Sequence, residues 1–324
     1  MTGHRVAVYY AWDRSREIEA PLGIIENRFP ALFESRRILY PHYEELADPE
    51  RFDQGIAGFL DEILRRNFEA FVEQAEAETG HAVLEMQRGG EEGVTVRLDA
   101  RILESADTVI VISFDSQRTG QRADSSEIEA VTTFLSKPGN MLFICPHHDI
   151  GNVEDAAAAD RTEIQTEHFL HHGDRTIPPQ QRFGGFARSL LSGLGLPVEN
   201  RFGLHPASEP DGSPSPIAVE HDLDRHGLLA GVTSFNLHPH LPHFERLREA
   251  VDKLDVIACQ KIDPDAPSHR FTRDGRSTFD AMLQSRPGLF GGDLLIADAT
   301  LWSSTAGGLD NLRRFWRNVV TRGT

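Results

Sequence analysis

Two apolar runs, Asp107 to Ser113 (DTVIVIS) and Asn140 to Cys145 (NMLFIC), stand on either side of a helix-length amphipathic segment, Ser125 to Leu135. Runs of this length without polar alternation predict strands buried on both faces, and such strands belong to parallel sheets covered by helices. The segment between them predicts a capped helix, with Ser125 at the N-cap, Glu127 and Glu129 in the first turn where they suit the helix dipole, and Pro138-Gly139 ending the connection. Strand, crossover helix and strand form a βαβ unit, so the two strands are parallel neighbours.

The rest of the chain extends this pattern. Arg5 to Ala11 (RVAVYYA) predicts a first strand at the point where a doubly wound sheet usually opens. Pro21 to Ser35 has helical spacing interrupted by Pro30, and Arg37 to Tyr40 is a second candidate strand. Gln54 to Thr79 places Ile56, Phe59, Ile63, Phe68, Phe71, Val72 and Ala75 on one helical face that closes at Gly80. Ala82 to Gln87 and Val94 to Leu98 flank a glycine-rich loop and predict a hairpin. Further on, Phe183 to Leu194 and Phe244 to Leu254 predict helices, Asp255 to Cys259 and Asp293 to Ala297 strands, and Leu309 to Val320 a closing helix. Residues 152–216 are polar and rich in turn signals, which reads as an insertion or lid within one α/β domain spanning residues 1–324.

Charge and composition narrow the partners. Thirty-three basic residues against 50 acidic ones give a net charge of −17, and only Lys137, Lys253 and Lys261 are lysines. No basic stripe for nucleic acid or an anionic membrane is visible. No apolar run reaches the length of a membrane span, and the first residues lack the pattern of a signal peptide. Cys145 and Cys259 lie far apart, which suits reduced thiols and a cytoplasmic location.

In their order, DTVIVISFDS, SSEIEAVTTFLSKPGNMLFICPHHDIG, HDLDRHGLLAGV, and GGDLLIADATLWSS with GLDNLRRFWRNVV resemble the class I glutamine-amidotransferase-like superfamily, in particular its divergent ThuA-like or uncharacterised branches. The resemblance covers about half of the chain. It implies a flavodoxin-like, doubly wound sheet with insertions and an active-site turn after the strand that ends at Cys145. The family's nucleophile elbow holds a cysteine between small residues, and Cys145 falls at its place. Here Ile144 and Pro146 flank it, which departs from that pattern.

Ligands of doubly wound sheets bind beyond the carboxyl ends of the strands. Three polar turns fall there: Phe114-Asp115-Ser116, His147-His148-Asp149 and Asp298-Ala299-Thr300. Asp115 and Asp298 are candidates for a general base, though Asp also caps turns and helices routinely. Most of the chain's 15 histidines lie between His147 and His243, in the groups His147-His148-Asp149, Glu167-His168 with His171-His172, and His238-Pro-His240-Leu-Pro-His243. Imidazole with carboxylate suits zinc, iron or manganese, so His147, His148, Asp149, His240 and His243 form a candidate ligand set for a divalent metal. No spacing among them is a recognised metal signature. Arg14, Arg16 and Glu26 could meet a carboxylated substrate or form a surface ion-pair network. FGGFARSLLSGLGLP lacks GxGxxG after a strand and any Walker lysine, so no nucleotide cofactor is expected.

Three functional readings follow. The first is a metal-dependent hydrolase of small molecules, acting on an amide, ester or similar bond with Asp115 or Asp298 as base. The second is a non-catalytic ligand-binding or assembly module. The third is a hydrolase or amidotransferase-like enzyme using Cys145. Homo-oligomerisation is compatible with each.

Overall fold

The computed structural model describes residues 3–13, 65–89, 94–154, 156–172 and 181–323. Strand β1 (Val6–Asp13) is followed by a 3-10 turn at Arg65–Phe68 and by helix α1 (Glu69–Thr79), which ends where Gly80 turns left-handed at φ 72°. Then come β2 (Leu84–Gly89), α2 (Ala100–Glu104), β3 (Thr108–Ser113), α3 (Ser125–Leu135) and β4 (Met141–Pro146). The middle of the chain holds β5 (Asp149–Ile150), α4 (Arg161–His172), β6 (Gln181–Arg182), α5 (Gly185–Gly193), β7 (Val198–Leu204) and β8 (Ala218–Val219). It closes with β9 (Leu241–Arg246), α6 (Ala250–Lys253), β10 (Leu254–Lys261), β11 (Thr278–Ser285), β12 (Asp293–Ala297) and α7 (Leu309–Thr321).

The large sheet has eight strands in the order β2-β1-β3-β4-β12-β11-β10-β8. The first five pair in parallel and the last three extend the sheet by antiparallel pairings. The expected βαβ unit is present: β3 and β4 run parallel from Thr108 opposite Met141 to Ser113 opposite Pro146, and α3 crosses between them. Its N-cap is Asp124, one residue before the expected Ser125. The Asp124 carboxylate accepts from the Glu127 N–H, and the Glu127 carboxylate accepts from the Asp124 N–H, a reciprocal capping box.

Alternation along each strand sorts the core into two layers. Val6, Val8, Tyr10 and Trp12 of β1, Ile110 and Ile112 of β3 and Phe143 of β4 pack with Phe71 of α1 and Phe315, Trp316 and Val319 of α7. Ala7, Tyr9 and Ala11, Val109 and Val111, and Leu142 and Ile144 face the other way, onto Leu103 of α2, Val131 and Phe134 of α3, and Phe186 and Leu190 of α5. Helices thus cover both faces, which is why the central strands carry no polar alternation.

A second, smaller sheet in the order β6-β5-β7-β9 begins immediately after β4. Residues 152–216 therefore supply β6 and β7, and through α5 they cover one face of the large sheet.

Two expectations are corrected, and one long strand is added. The hairpin does not form: β2 pairs in parallel with β1, and residues 94–98 contribute one isolated antiparallel bridge, Gly89 to Thr95. The helix expected from Phe244 is strand β9 up to Arg246, because pairing with β7 outweighs the helical spacing; only Ala250–Lys253 is α-helical. β11, exposed at Thr278 and buried over most of its length, has no counterpart among the expected strands. The expected helix at 21–35, the strand at 37–40, residues 54–64 of the long helix, and Arg14, Arg16 and Glu26 lie outside the described residues. No described helix is long and apolar enough to cross a membrane.

Candidate functional site

Parallel strands end at a common edge, so residues that follow β3, β4 and β12 in sequence meet in space. Ser113 lies opposite Pro146, and Ile144 opposite Ile296, so the three ends are level. The three polar turns named from sequence all begin at this rim, and their roles differ.

His147 and Asp298 form the central pair. The His147 Nδ1 and Asp298 Oδ2 are 3.0 Å apart, with both side chains almost fully buried. Asp298 also caps the 3-10 turn Ala299–Trp302: its Oδ1 accepts from the Thr300 N–H at 2.8 Å and from the Thr300 hydroxyl. Burial raises the proton affinity of this carboxyl, but the imidazoles of His147 and His238 and the Thr300 donor more than offset it. Asp298 therefore sits below the usual carboxylate range. An ionised Asp298 only accepts, so the proton between the pair belongs to His147 Nδ1; in the neutral ring the lone pair is then on Nε2.

Around this pair lies a cluster of imidazoles. The ring of His147 is 4.0 Å from that of His148 and 4.7 Å from that of His238. His240 is 5.4 Å from His148 and 5.8 Å from His238, and His205 is 5.7 Å from His240. Phe114 and Phe183 wall the cluster, at 4.5 Å from His147 and 5.3 Å from His148. His205 follows β7, while His238 and His240 lie on the loop before β9. His205 was missed in the sequence, where a single His-Pro after a short strand carries no signal.

The candidate metal set divides here. His147, His148 and His240 come together. Asp149 instead binds the Arg182 guanidinium at 2.9 Å, within a network that includes Glu154 and Glu199. Burial pushes the Asp149 carboxyl up to about 6, despite Arg182 and Arg188 nearby. His243, on β9, turns to other neighbours: its Nδ1 accepts from the Asp280 N–H at 3.2 Å, and its ring lies 4.7 Å from Phe271. Burial lowers its proton affinity. Among the described residues, no group of three or more His, Cys, Asp or Glu side chains is disposed to hold a metal ion. His168 lies in a separate cluster with His269, their rings 4.6 Å apart.

Asp115 has a structural task. It accepts from the Ser113 hydroxyl and from the Phe186 N–H at 2.9 Å, while the Ala187 N–H donates to the Ser113 Oγ at 3.1 Å. These bonds satisfy free N–H groups at the start of α5 and dock that helix on β3. Gly184, immediately before, has φ +80°, and a Cβ there would lie 2.6 Å from the Pro146 Cβ. The glycines in FGGFARS thus allow close helix docking.

Cys145 is fully buried on the α7 side of β4, and the Trp302 indole N–H donates to its sulfur at 3.1 Å. Burial pushes its thiol well above the ordinary range. A neutral, inaccessible thiol is a poor nucleophile, so Cys145 is placed as a core residue.

No protein-family model matches the chain, and no curated protein compared with it is similar.

Proposed function

We propose that this chain is a hydrolase of small molecules whose proton transfers run through His147 and Asp298. The observation that carries the reading is the buried Asp298–His147 pair at the carboxyl edge of a parallel sheet, with Nδ1 held by the carboxylate; Nε2 would then exchange the proton. His147 would take a proton from an attacking water, and Asp298 would stabilise the imidazolium that forms. An amide or ester carbonyl is the matching substrate class. The order of the five parallel strands, 2-1-3-4-5 when counted among themselves, is that of flavodoxin-like sheets and supports the amidotransferase-like resemblance. With Cys145 buried, the thiol at the place of that family's nucleophile is not accessible.

A divalent metal is the second reading, favoured by the gathering of His148, His238 and His240, whose rings lie 5.4 to 6.4 Å apart. Their side chains would have to reorient to share one ion. Zinc, iron or manganese bound there would lower the pKa of a water beside His147.

Untagged protein is assayed against a panel of activated esters and amides, with bound metals measured by plasma mass spectrometry. His147→Gln and Asp298→Asn are expected to lower turnover by about a hundredfold to ten-thousandfold. About one equivalent of metal that disappears in a His148→Ala/His240→Ala variant would establish the second reading. Folded, metal-free protein without turnover on the panel would favour a ligand-binding module.

A further inference from the structure

Behind the His147–Asp298 pair lie two buried residues, Thr300 and Asn236. Asn236 is completely buried, and both protons of its amide nitrogen are used: one goes to the Thr300 carbonyl at 2.9 Å, the other to the Thr300 Oγ1 at 3.0 Å. Its Oδ1 accepts from the His238 N–H at 3.2 Å. A flipped amide would face a carbonyl with an oxygen and an N–H with a nitrogen, so only one orientation satisfies both sides.

This arrangement gives the hydrogen bonds a direction. The Thr300 hydroxyl accepts from Asn236, so its single proton is free to go to Asp298 Oδ1, where the structure places a bond. Asp298 thereby receives donors from the Thr300 hydroxyl and from the Thr300 N–H, and its second oxygen faces His147. Each link favours a carboxylate that accepts and does not donate. The same amide holds the backbone of His238, whose ring lies 4.7 Å from His147.

We propose that Asn236, acting through the Thr300 hydroxyl, is a positioning residue that fixes the direction of the hydrogen bonds onto Asp298 and so holds His147 in the tautomer with its proton on Nδ1. The inference rests on reading His147 and Asp298 as a proton-transfer pair. The Asn236 side chain bonds to Thr300 and to the His238 N–H, not to the ring of His147. It determines which nitrogen of the base is available and how close His238 stands to it. A residue that only tied the 236–240 loop to the turn at Ala299–Trp302 would affect stability and leave the tautomer unchanged.

The test is the nitrogen NMR spectrum of the imidazoles in the labelled full chain, with His147 assigned by its absence in His147→Gln. Wild type is expected to show neutral His147 as a single species with Nε2 unprotonated. Thr300→Ser, which keeps the hydroxyl, retains that signature. Thr300→Val and Asn236→Asp lose it, with the Nε2-protonated form appearing as a comparable population. Thr300→Val is nearly isosteric and keeps the backbone bonds, so it serves if the Asn236 variant fails to fold. Dispersed spectra establish folding in each case. Where a substrate has been found, the Thr300→Val turnover number falls about tenfold with KM little changed. An unchanged Nδ1-protonated signature in folded Thr300→Val overturns the proposal. Absence of turnover on every substrate counts against the hydrolase reading and leaves the tautomer result standing.

Discussion

At the scale of single residues, burial decides which candidate groups are chemically usable. Cys145 and Asp115 stand at the places expected of a nucleophile and a base, but the first is sealed beneath Trp302 and the second is engaged by α5. Asp149 shows the same competition in a measurable form. Its carboxyl titrates at 3.8 in the reference state and at about 6 in the fold, because burial outweighs the attraction of Arg182. Between those two values the folded chain binds the proton more tightly than the unfolded chain. The contribution of this group to stability is therefore full below about pH 4 and falls as pH rises towards 6. Urea denaturation at pH 4 and pH 7 should show wild type gaining on Asp149→Asn upon acidification, by on the order of 2–3 kcal/mol. A pH-independent difference would mean that Asp149 is not held in the raised state.

At the scale of elements, the contacts that place helices on the sheet explain most departures from the pattern reading. Helix α5 approaches β4 closely because Gly184 allows a left-handed turn against Pro146. Gly184→Ala should cost about 1–3 kcal/mol, measured by denaturant unfolding, since it adds a backbone penalty and a clash. Gly139 has a similar positive φ with nothing within 4 Å, so Gly139→Ala should cost only about 1 kcal/mol. The difference between the two isolates the packing term. The same logic accounts for β2: once Gly89 packs on Asp13, the segment completes the exposed side of β1 and the expected hairpin is lost. Helix α3 was legible to within one residue because its determinants are local: an acidic cap, a capping box and a single apolar stripe. Strand β9 was not, because its apolar spacing suits a helix and only β7, some 40 residues earlier, makes it a strand.

For the whole molecule, the two-layered core around β1, β3, β4 and β12 is the part most resistant to opening. Hydrogen exchange should find the amides of β3, β4 and β12 exchanging only through global unfolding. Amides at 156–163, whose side chains are largely exposed, should exchange several kcal/mol more readily. Uniform protection of both would contradict this ordering. The sequence by itself determined the βαβ unit, the parallel character of the central sheet and the rim at which polar turns gather, because periodicity and capping act over a few residues. Only the tertiary structure decided which polar groups form the site. His147 meets Asp298 across 151 positions, and Asn236 meets Thr300 across 64. His240 joins the cluster while His243, three residues away, packs against Phe271. Neighbours in a strand or loop can point to different surroundings, and no local pattern records which of them the rest of the fold will bury against a partner.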